Sequence, residues 1–398
     1  MSDFNFHVNP IGLFDMLHFK KMVPARKQAL ENGSLDPVSG VYNANQLAKR
    51  MHPKTQTLTI AEIVDHGGIA KTFVLTGDGL APFRAGQYLS VQLKIGSSVL
   101  TRPYSISSSP EWVKQGKYAL TVKRAADGFA SGWILDNWKV GESIVVSGPE
   151  GNFYYEPLRD AKHVIGLAGG CGITPFLSMA YAIRDGVEDF GLTLLYGSRK
   201  ECDILYQREL AQIEQETDKV KVVHILSDEQ KDGYEYGFIT AERIAETCGE
   251  EECSIFLCGP AAMYAFVDKE VEKLKLAGKF VRHELYAAPS AAGALPGYPG
   301  DAGKTFTLTV KRFSETLRIP MRASETVLVA LERAGIAAPS RCRGGECGWC
   351  RSRLESGDVF VPDYLDKRRM ADVAAGYIHP CCSYPLSDAT IEIWPEQE

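Results

Sequence analysis

The spacing of apolar positions changes character along this 398-residue chain. From residue 55 to about 154, apolar and polar residues alternate in short runs: "TLTIAEIV", "AKTFVLTG", "GQYLSVQL", "TRPYSISS", "YALTVKR" and "SIVVSG". Period-two alternation is what a half-buried strand requires, and turn residues recur between the runs. This stretch therefore predicts a small antiparallel β-barrel or sandwich. From about 160, strand-like and helix-like runs follow one another. "HVIGLA" leads through a glycine turn to the helical "TPFLSMAYAIRD". The strands "GLTLLYGS", "VKVVHILS", "SIFLCG" and "FVRHELY" come next, with helical stretches between most of them. That order predicts an α/β doubly wound unit on a parallel sheet.

"AAPSAAGALPGYPGDAGK" is rich in Ala, Gly and Pro with few anchors, and reads as a linker. A small unit follows, with strands at "TFTLTVKR" and "TLRIP", a helix near "ETVLVALERAG" and then a cysteine-rich loop. At the other end, "IGLFDMLHFKKM" puts Ile11, Phe14, Leu17 and Met22 near one helical face. "NGSLDPVSG" has turn chemistry, and "NANQLAKRM" predicts a second helix capped by Asn43 or Asn45. These helices are expected to cover a face of the next unit or to dock a partner. The expected division is 1–54, an N-terminal extension; 55–154, the barrel; 155–287, the α/β unit; 288–304, the linker; and 305–398, the cysteine-bearing unit. No internal repeat is visible.

Composition narrows the function. The net charge of −6 and pI near 5.9 argue against nucleic acid as the main partner. No apolar run approaches the ~18 residues of a membrane helix. "MSDFNFHVNPIG" lacks the basic and apolar regions of a signal peptide. The reading is a soluble cytoplasmic protein. Of ten cysteines, 171, 202, 248, 253 and 258 are dispersed and are expected to be ordinary small buried residues. The other five, from 342 onward, suggest a metal.

"CRGGECGWC" places Cys342, Cys347 and Cys350 at the x4, x2 spacing of a plant-type [2Fe–2S] loop. Gly344, Gly345 and Gly348 relax the backbone so that thiolates converge and amides face sulfur. Zinc sites usually pair one CxxC with another or with a His pair, and only one CxxC is present. "HPCCSYPLSD" offers Cys381 and Cys382 as the fourth ligand; neighbours in a strand point to opposite faces, so both cannot ligate without distortion. The whole region resembles a plant-type ferredoxin domain (β-grasp, α+β), and that resemblance favours Cys381. Trp349 stands where a small residue is more usual and is expected to shield the cluster. Arg341, Arg343 and Arg351 surround the loop, which leads to the expectation of an acidic docking surface on the electron acceptor.

"RPYSISSSP" resembles the Arg-x-Tyr-Ser motif of the ferredoxin–NADP reductase superfamily. The resemblance implies that Arg102 neutralises a flavin diphosphate, with Pro103 beside it. It implies further that Tyr104 lies against the isoalloxazine or ribityl chain and that Ser105 hydrogen-bonds near flavin N5. "GFASGWI" resembles that superfamily's pyrophosphate turn, where a helix N-terminus holds the anion through Gly128, Ala130 and Ser131. "GPEGNF" matches the segment that closes the barrel. Val122 and Lys123 are further expected cofactor contacts. FAD is favoured over FMN by the "ISSSP" that follows the motif.

"VIGLAGGCGITPFLSM" resembles the superfamily's nicotinamide turn. Gly169, Gly170 and Gly172 would let backbone approach a pyrophosphate, Thr174 would cap the helix and Pro175 suits its first turn. Cys171 stands where Thr is common, as a small packed residue or a redox-sensitive thiol. "FLCGPAAM" matches Cys-Gly-Pro-x-x-Met, so Cys258 would abut nicotinamide C4 beside Gly259, Pro260 and Met263. In "HELY", Glu284 would stabilise charge or relay protons, although a salt bridge also explains it. Ser105, Cys258 and Glu284 are the expected catalytic groups. Ser198 and Arg199 of "YGSRK" and Asp228 of "HILSDEQ" would meet the dinucleotide. Asp228 repels a 2′-phosphate and accepts from a ribose hydroxyl, while Arg199 and Lys200 pull the other way; NADH is preferred over NADPH.

Flavin, nicotinamide and [2Fe–2S] modules in this order resemble the reductase components of multicomponent oxygenases, such as the phenylacetyl-CoA, ketosteroid and phthalate systems. The resemblance covers about residues 55 to 398. It implies hydride transfer to FAD and single-electron transfer to the cluster, then to a protein acceptor such as an oxygenase or other metalloenzyme. Direct reduction of a small acceptor, or redox sensing, are the rival readings.

Overall fold

The computed structural model describes residues 10–33, 42–125, 128–250, 252–284, 292–313 and 315–394. The chain separates into two compact units, Met1–Leu47 and Ala48–Glu398. In the first, helix α1 (Pro10–Glu31) extends well past the predicted stretch and runs through Pro24. Phe14, Leu17, Phe19 and Met22 on it are exposed. Helix α2 (Asn43–Met51) begins at Asn43 and buries no side chain. The turn expected at 32–40 lies mostly outside the described residues.

The predicted barrel forms from β1 (Thr55–Asp65), β2 (Ala70–Thr76), β3 (Tyr88–Ile95), β4 (Ser98–Ser105), β5 (Lys117–Lys123) and β6 (Ser143–Ser147), with helix α3 (Phe129–Asn137) between the last two strands. Their order is β4-β3-β6-β1-β2-β5. The inward positions, among them Leu58, Phe73, Leu89, Val91, Leu120 and Val146, make one core. Pro103 is tolerated because β4 is an edge strand. An isolated bridge from Ile106 to Leu120 brings the chain just past β4 against β5, curling the sheet into a half-barrel.

The α/β unit comprises β7 (His163–Gly169), α4 (Ile173–Arg184), β8 (Gly191–Ser198), α5 (Gln207–Glu216), β9 (Val220–Leu226), β10 (Glu235–Tyr236), α6 (Ala241–Cys248), β11 (Cys253–Cys258), α7 (Ala261–Lys273) and β12 (Val281–His283). All its strand pairs are parallel, in the order β10-β9-β8-β7-β11-β12. Strand order reverses between β7 and β11. Loops leaving those two carboxyl ends diverge there and open a crevice. β11 is buried along its whole length, which explains its unbroken apolar run.

Barrel and α/β unit share one core rather than a linker. Phe153, just past the barrel, packs against Phe176 of α4 and Phe256 of β11. Tyr206 carries its hydroxyl between Thr72 and Thr121 of the barrel, 2.5 Å from Thr72, and its ring meets His66 at 4.8 Å. Cys248 and Cys253 form a disulfide across the turn from α6 to β11, with Cα atoms 6.0 Å apart; two ordinary buried thiols were expected there.

The last unit contains β13 (Thr305–Arg312), β14 (Glu315–Arg322), α8 (Val327–Arg333), β15 (Ser352–Ser356), β16 (Val359–Phe360), α9 (Met370–Ala374), β17 (Tyr377–Ile378), β18 (Tyr384–Pro385) and β19 (Ala389–Glu392). Its mixed sheet runs β14-β13-β19-β15-β17, and α8 packs Val327, Ala330 and Leu331 into the core against it. The expected linker is better anchored than its composition suggested. Ala292 and Leu295 are buried around Tyr384 with Tyr298 and Phe360, and Tyr298 donates to the Ala323 carbonyl at 3.2 Å. Few side chains suffice to hold it because Tyr298 supplies both ring and hydroxyl.

Candidate functional site

At the carboxyl ends of the parallel strands lies a cavity of about 650 Å³, of the size that small-molecule sites have. Gly169, Gly170, Ser198, Arg199, Pro260 and Met263 line it, and Lys123 reaches it from β5 of the barrel. The glycines serve packing as well as ligand approach. A Cβ on Gly172 would stand 2.1 Å from the Cys258 carbonyl oxygen, and one on Gly169 or Gly259 would stand 2.4 or 2.5 Å from Met263 Sδ. The turns after β7 and β11 thus fit backbone to backbone. Thr174 does not cap α4. It sits inside the helix, buried, and donates to the Cys171 carbonyl at 3.1 Å, because the short turn Gly170–Gly172 moves the helix start to Ile173.

Cys258 is fully buried at the end of β11. Burial, then the nearby Glu284, holds its thiol well above the usual range, so it is a neutral S–H at neutral pH. Cys171 is likewise raised, to about 11, by burial, with its sulfur 3.9 Å from the Thr121 carbonyl. That is the packed-residue reading rather than a reactive thiol. Glu284 follows β12, buried, its N–H on the Leu257 carbonyl at 3.0 Å and its own carbonyl accepting from Tyr264. Leu285 and Tyr286 of "HELY" lie outside the described residues.

Asp228 does not line the cavity; Ser227 and Arg199 do. Asp228 instead accepts from Ser227 Oγ at 2.6 Å and from Arg199 Nε at 2.9 Å. The Ser227 hydrogen bond, then Arg199, holds its carboxyl below the usual range. The two residues that pulled opposite ways on a 2′-phosphate are therefore joined as a pair. Two aromatics went unnoticed in the sequence: Phe238 and Phe266, 5.6 Å apart on the cavity wall, with Phe238 61% exposed. The signal was an apolar ring just past a strand end, in "YGFIT".

Along β4, Pro103 and Ser105 are buried, and Tyr104 is half-buried with its phenol pushed up by burial. Gly128 precedes α3. A Cβ there would stand 2.2 Å from Ser131 Oγ, which accepts from the Ala125 N–H at 3.1 Å. This tight turn before a nine-residue helix fits an anion such as a flavin diphosphate. Ala130 is buried. The Val122 side chain belongs to the barrel core, so a cofactor contact there would be made by its backbone. Arg102 donates from Nη1 to the Thr101 carbonyl at 2.7 Å and to Glu332 of α8 at 3.3 Å. Its Nε and Nη2 make no hydrogen bond among the described residues.

The cysteines meet as a pair, Cys342 with Cys347, and a trio, Cys381 with Cys350 and Cys382. Cys342 donates to Cys347, which holds the Cys347 thiol down at about 7. Cys350 donates to Cys381, which with Cys382 and the Arg343 guanidinium keeps Cys381 well below the usual thiol range. Cys342 with Cys347 and Cys350 with Cys381 would give each of two irons two thiolates, with Cys382, also against Cys381, as the other candidate for the fourth place. Amides point at sulfur, Cys347 N–H to Cys342 at 3.4 Å and Trp349 N–H to Cys347 at 3.5 Å. His379 Nδ1–H donates to the Gly345 carbonyl at 2.8 Å and ties the loop to the Cys381 segment. A Cβ on Gly345 (φ +83°) would stand 2.4 Å from the Leu365 carbonyl oxygen and 3.0 Å from Cys382 Sγ.

Two of the three arginines around this loop are turned inward, against expectation. Arg343 is only 6% exposed and pairs with Glu332; Arg341 pairs with Glu150 and lies 3.5 Å over the Trp349 ring; Arg351 pairs with Asp372 at 3.0 Å. Each charge is met by a carboxylate of this chain, and of the three only Arg351 keeps an exposed side chain. The residue at the centre of the site is Tyr88. It is buried, opposes Ser105 in the β3–β4 register, and its phenol is pushed up by burial and then by Cys342, Cys347 and Glu284. A Cβ on Gly151 would stand 2.9 Å from this ring and 4.0 Å from Glu284 Oε1, so ring and carboxylate lie close together.

Comparison with known proteins agrees with this layout. Residues 62–155 match the oxidoreductase FAD-binding domain, 167–269 the oxidoreductase NAD-binding domain and 312–386 the 2Fe-2S iron-sulfur cluster binding domain. A glycine betaine monooxygenase reductase subunit of Pseudomonas aeruginosa is 31% identical over 78% of this chain and 87% of its own. A 3-ketosteroid-9-alpha-monooxygenase ferredoxin reductase component of Mycobacterium tuberculosis is 32% identical over 83% and 94%. The structure of phthalate dioxygenase reductase superposes with a TM-score of 0.63 at 26% identity, over 85% of this chain and 97% of that one. No helix among the described residues is long and apolar enough to cross a membrane. The chain belongs to the family of oxygenase reductase components, in which FAD-binding, NAD-binding and 2Fe-2S domains share one polypeptide.

Proposed function

We propose that this chain takes electrons from NADH and passes them singly, through FAD and the [2Fe–2S] cluster, to a separate oxygenase. The seam between β4 and the cysteine-bearing unit supports this most: Thr101 bonds Ser340 and Arg102 bonds Glu332, while Tyr88 beside Ser105 carries Glu284 close to the same strand. Arg102, Tyr104 and Ser105 of β4 would hold the flavin between the nicotinamide crevice and the cysteine loop. When bound, the flavin accepts hydride and releases electrons one at a time, and the cluster carries one electron.

The chain's own residues bind, orient and insulate. The backbone-fitted turns at Gly172 and Cys258 fix the crevice floor, and a neutral Cys258 puts no anion in the path of hydride. Arg102 and the turn at Gly128 hold the diphosphate, and Cys342, Cys347, Cys350 and Cys381 hold the irons. Asp228 draws Arg199 away from a 2′-phosphate, which favours NADH. The loop reaches solvent at Cys347 and at Trp349, which is 39% exposed, and that is the side an acceptor would approach. The names of the relatives support an oxygenase as acceptor. Anaerobic mixing with NADH should bleach the flavin and then develop the reduced-cluster EPR signal, with steady turnover only when a one-electron acceptor or oxygenase is added. Equal turnover with a small two-electron acceptor and no partner would replace this reading.

A further inference from the structure

Arg102 and Arg343 come from different units, 241 positions apart in sequence, yet share one carboxylate. Glu332 is 5% exposed. It accepts from Arg102 Nη1 at 3.3 and 3.4 Å through its two oxygens, and from Arg343 through both guanidinium nitrogens Nη1 and Nη2, the latter at 3.1 Å. Around this triad the seam is tight. Thr101 Oγ1 donates to the Ser340 carbonyl at 3.1 Å, and a Cβ on Gly335 (φ +73°) would stand 2.6 Å from the Ser97 carbonyl oxygen. Two guanidinium groups, Arg343 buried and Arg102 half-buried, lean on this one carboxylate, so losing it leaves two like charges facing each other without compensation.

We propose that the Arg102–Glu332–Arg343 triad couples flavin binding to docking of the ferredoxin unit, with Glu332 as the positioning residue. This rests on the reading that Arg102 holds the FAD diphosphate. One nitrogen of Arg102 is committed to Glu332, and the free edge of the fork remains for the anion. Docking fixes the fork for the flavin, and a diphosphate on that fork fixes it for Glu332. Coupling of this kind is reciprocal: whatever factor docking adds to flavin affinity, flavin adds to docking. The flavin-to-cluster path is then assembled when flavin is present.

The test uses the full chain carrying its cluster, stripped of FAD and then titrated with FAD. Flavin fluorescence reads affinity, and limited proteolysis in the 287–304 segment reads docking. In the wild type, FAD should slow cleavage severalfold. Glu332→Gln, nearly isosteric, should bind FAD about tenfold more weakly, cleave faster and lose the protection. At saturating FAD its NADH–ferricyanide activity should stay near wild type while flavin-to-cluster transfer, followed by stopped flow, slows. Glu332→Asp, which keeps a charge on a shorter arm, should fall between. Unchanged FAD affinity and protection in Glu332→Gln would overturn the coupling, as would faster cleavage of the wild type with FAD. Failure of the wild type to bind FAD would instead overturn the underlying reading.

Discussion

The nicotinamide crevice and the cysteine loop are built on opposite principles. In the crevice, backbone does the work: two turns meet where a Cβ at Gly172 would stand 2.1 Å from a carbonyl oxygen, and the side chains that matter are neutral or already paired. The loop depends on side chains, with Cys342 against Cys347, Cys381 against both Cys350 and Cys382, and three arginines each held by a carboxylate. A crevice of glycine turns tolerates side-chain exchange but not added bulk; the loop tolerates little exchange of charge or sulfur. The first arrangement is local to a strand end. The second ties together segments from three parts of the chain.

The largest effect should come from sulfur. Cys381→Ser should abolish iron binding and the visible cluster spectrum, while Cys382→Ser keeps both; iron analysis decides, and the reverse result would move the fourth ligand by one residue. Adding a methyl group to the crevice comes next. Gly172→Ala should slow flavin reduction by NADH about 100-fold by displacing the reacting atoms, with iron content unchanged. An unaltered rate in rapid mixing would mean that the backbone fit is not what sets the crevice.

Asp228→Ala tests whether crevice side chains matter through pairing. Freeing Arg199 should raise the NADPH/NADH ratio of kcat/KM about tenfold. If the ratio does not rise, Arg199 is not reaching the 2′ position. The smallest effect concerns the joint between barrel and α/β unit. Burial lowers the His66 imidazole below its usual value of 6.5, so the unfolded chain binds the proton more readily. The stability it contributes is complete above about 6.5 and is lost as pH falls from there toward the lower folded value. His66→Gln should flatten the acid side of a plot of Tm against pH without moving the neutral plateau.

Much of this was legible in sequence. Period-two runs gave all six barrel strands, and the glycine turns before "ITPFLSM" and after "SIFLC" marked the crevice, because turn chemistry and strand ends are encoded within a few residues. Cysteine spacing marked the loop for the same reason. What failed was anything set by partners distant in sequence. Arg343 reads as a surface charge beside two others, and only the fold brings Glu332 to it. Thr174 reads as a cap until the turn ahead of it shifts the helix start. Tyr88 looks like any inward strand residue, and the Cys248–Cys253 bond shows no motif.

By itself, then, the sequence determined the order of the modules, the glycine turns after two strand ends and the x4, x2 spacing of three thiols in one loop, since each is written in short-range spacing. The tertiary structure decided which charges face one another, which ring lies close to Glu284, and how the last unit sits on the first barrel. Those choices depend on burial, where an unpaired charge is too costly to leave and its partner can come from anywhere in the chain.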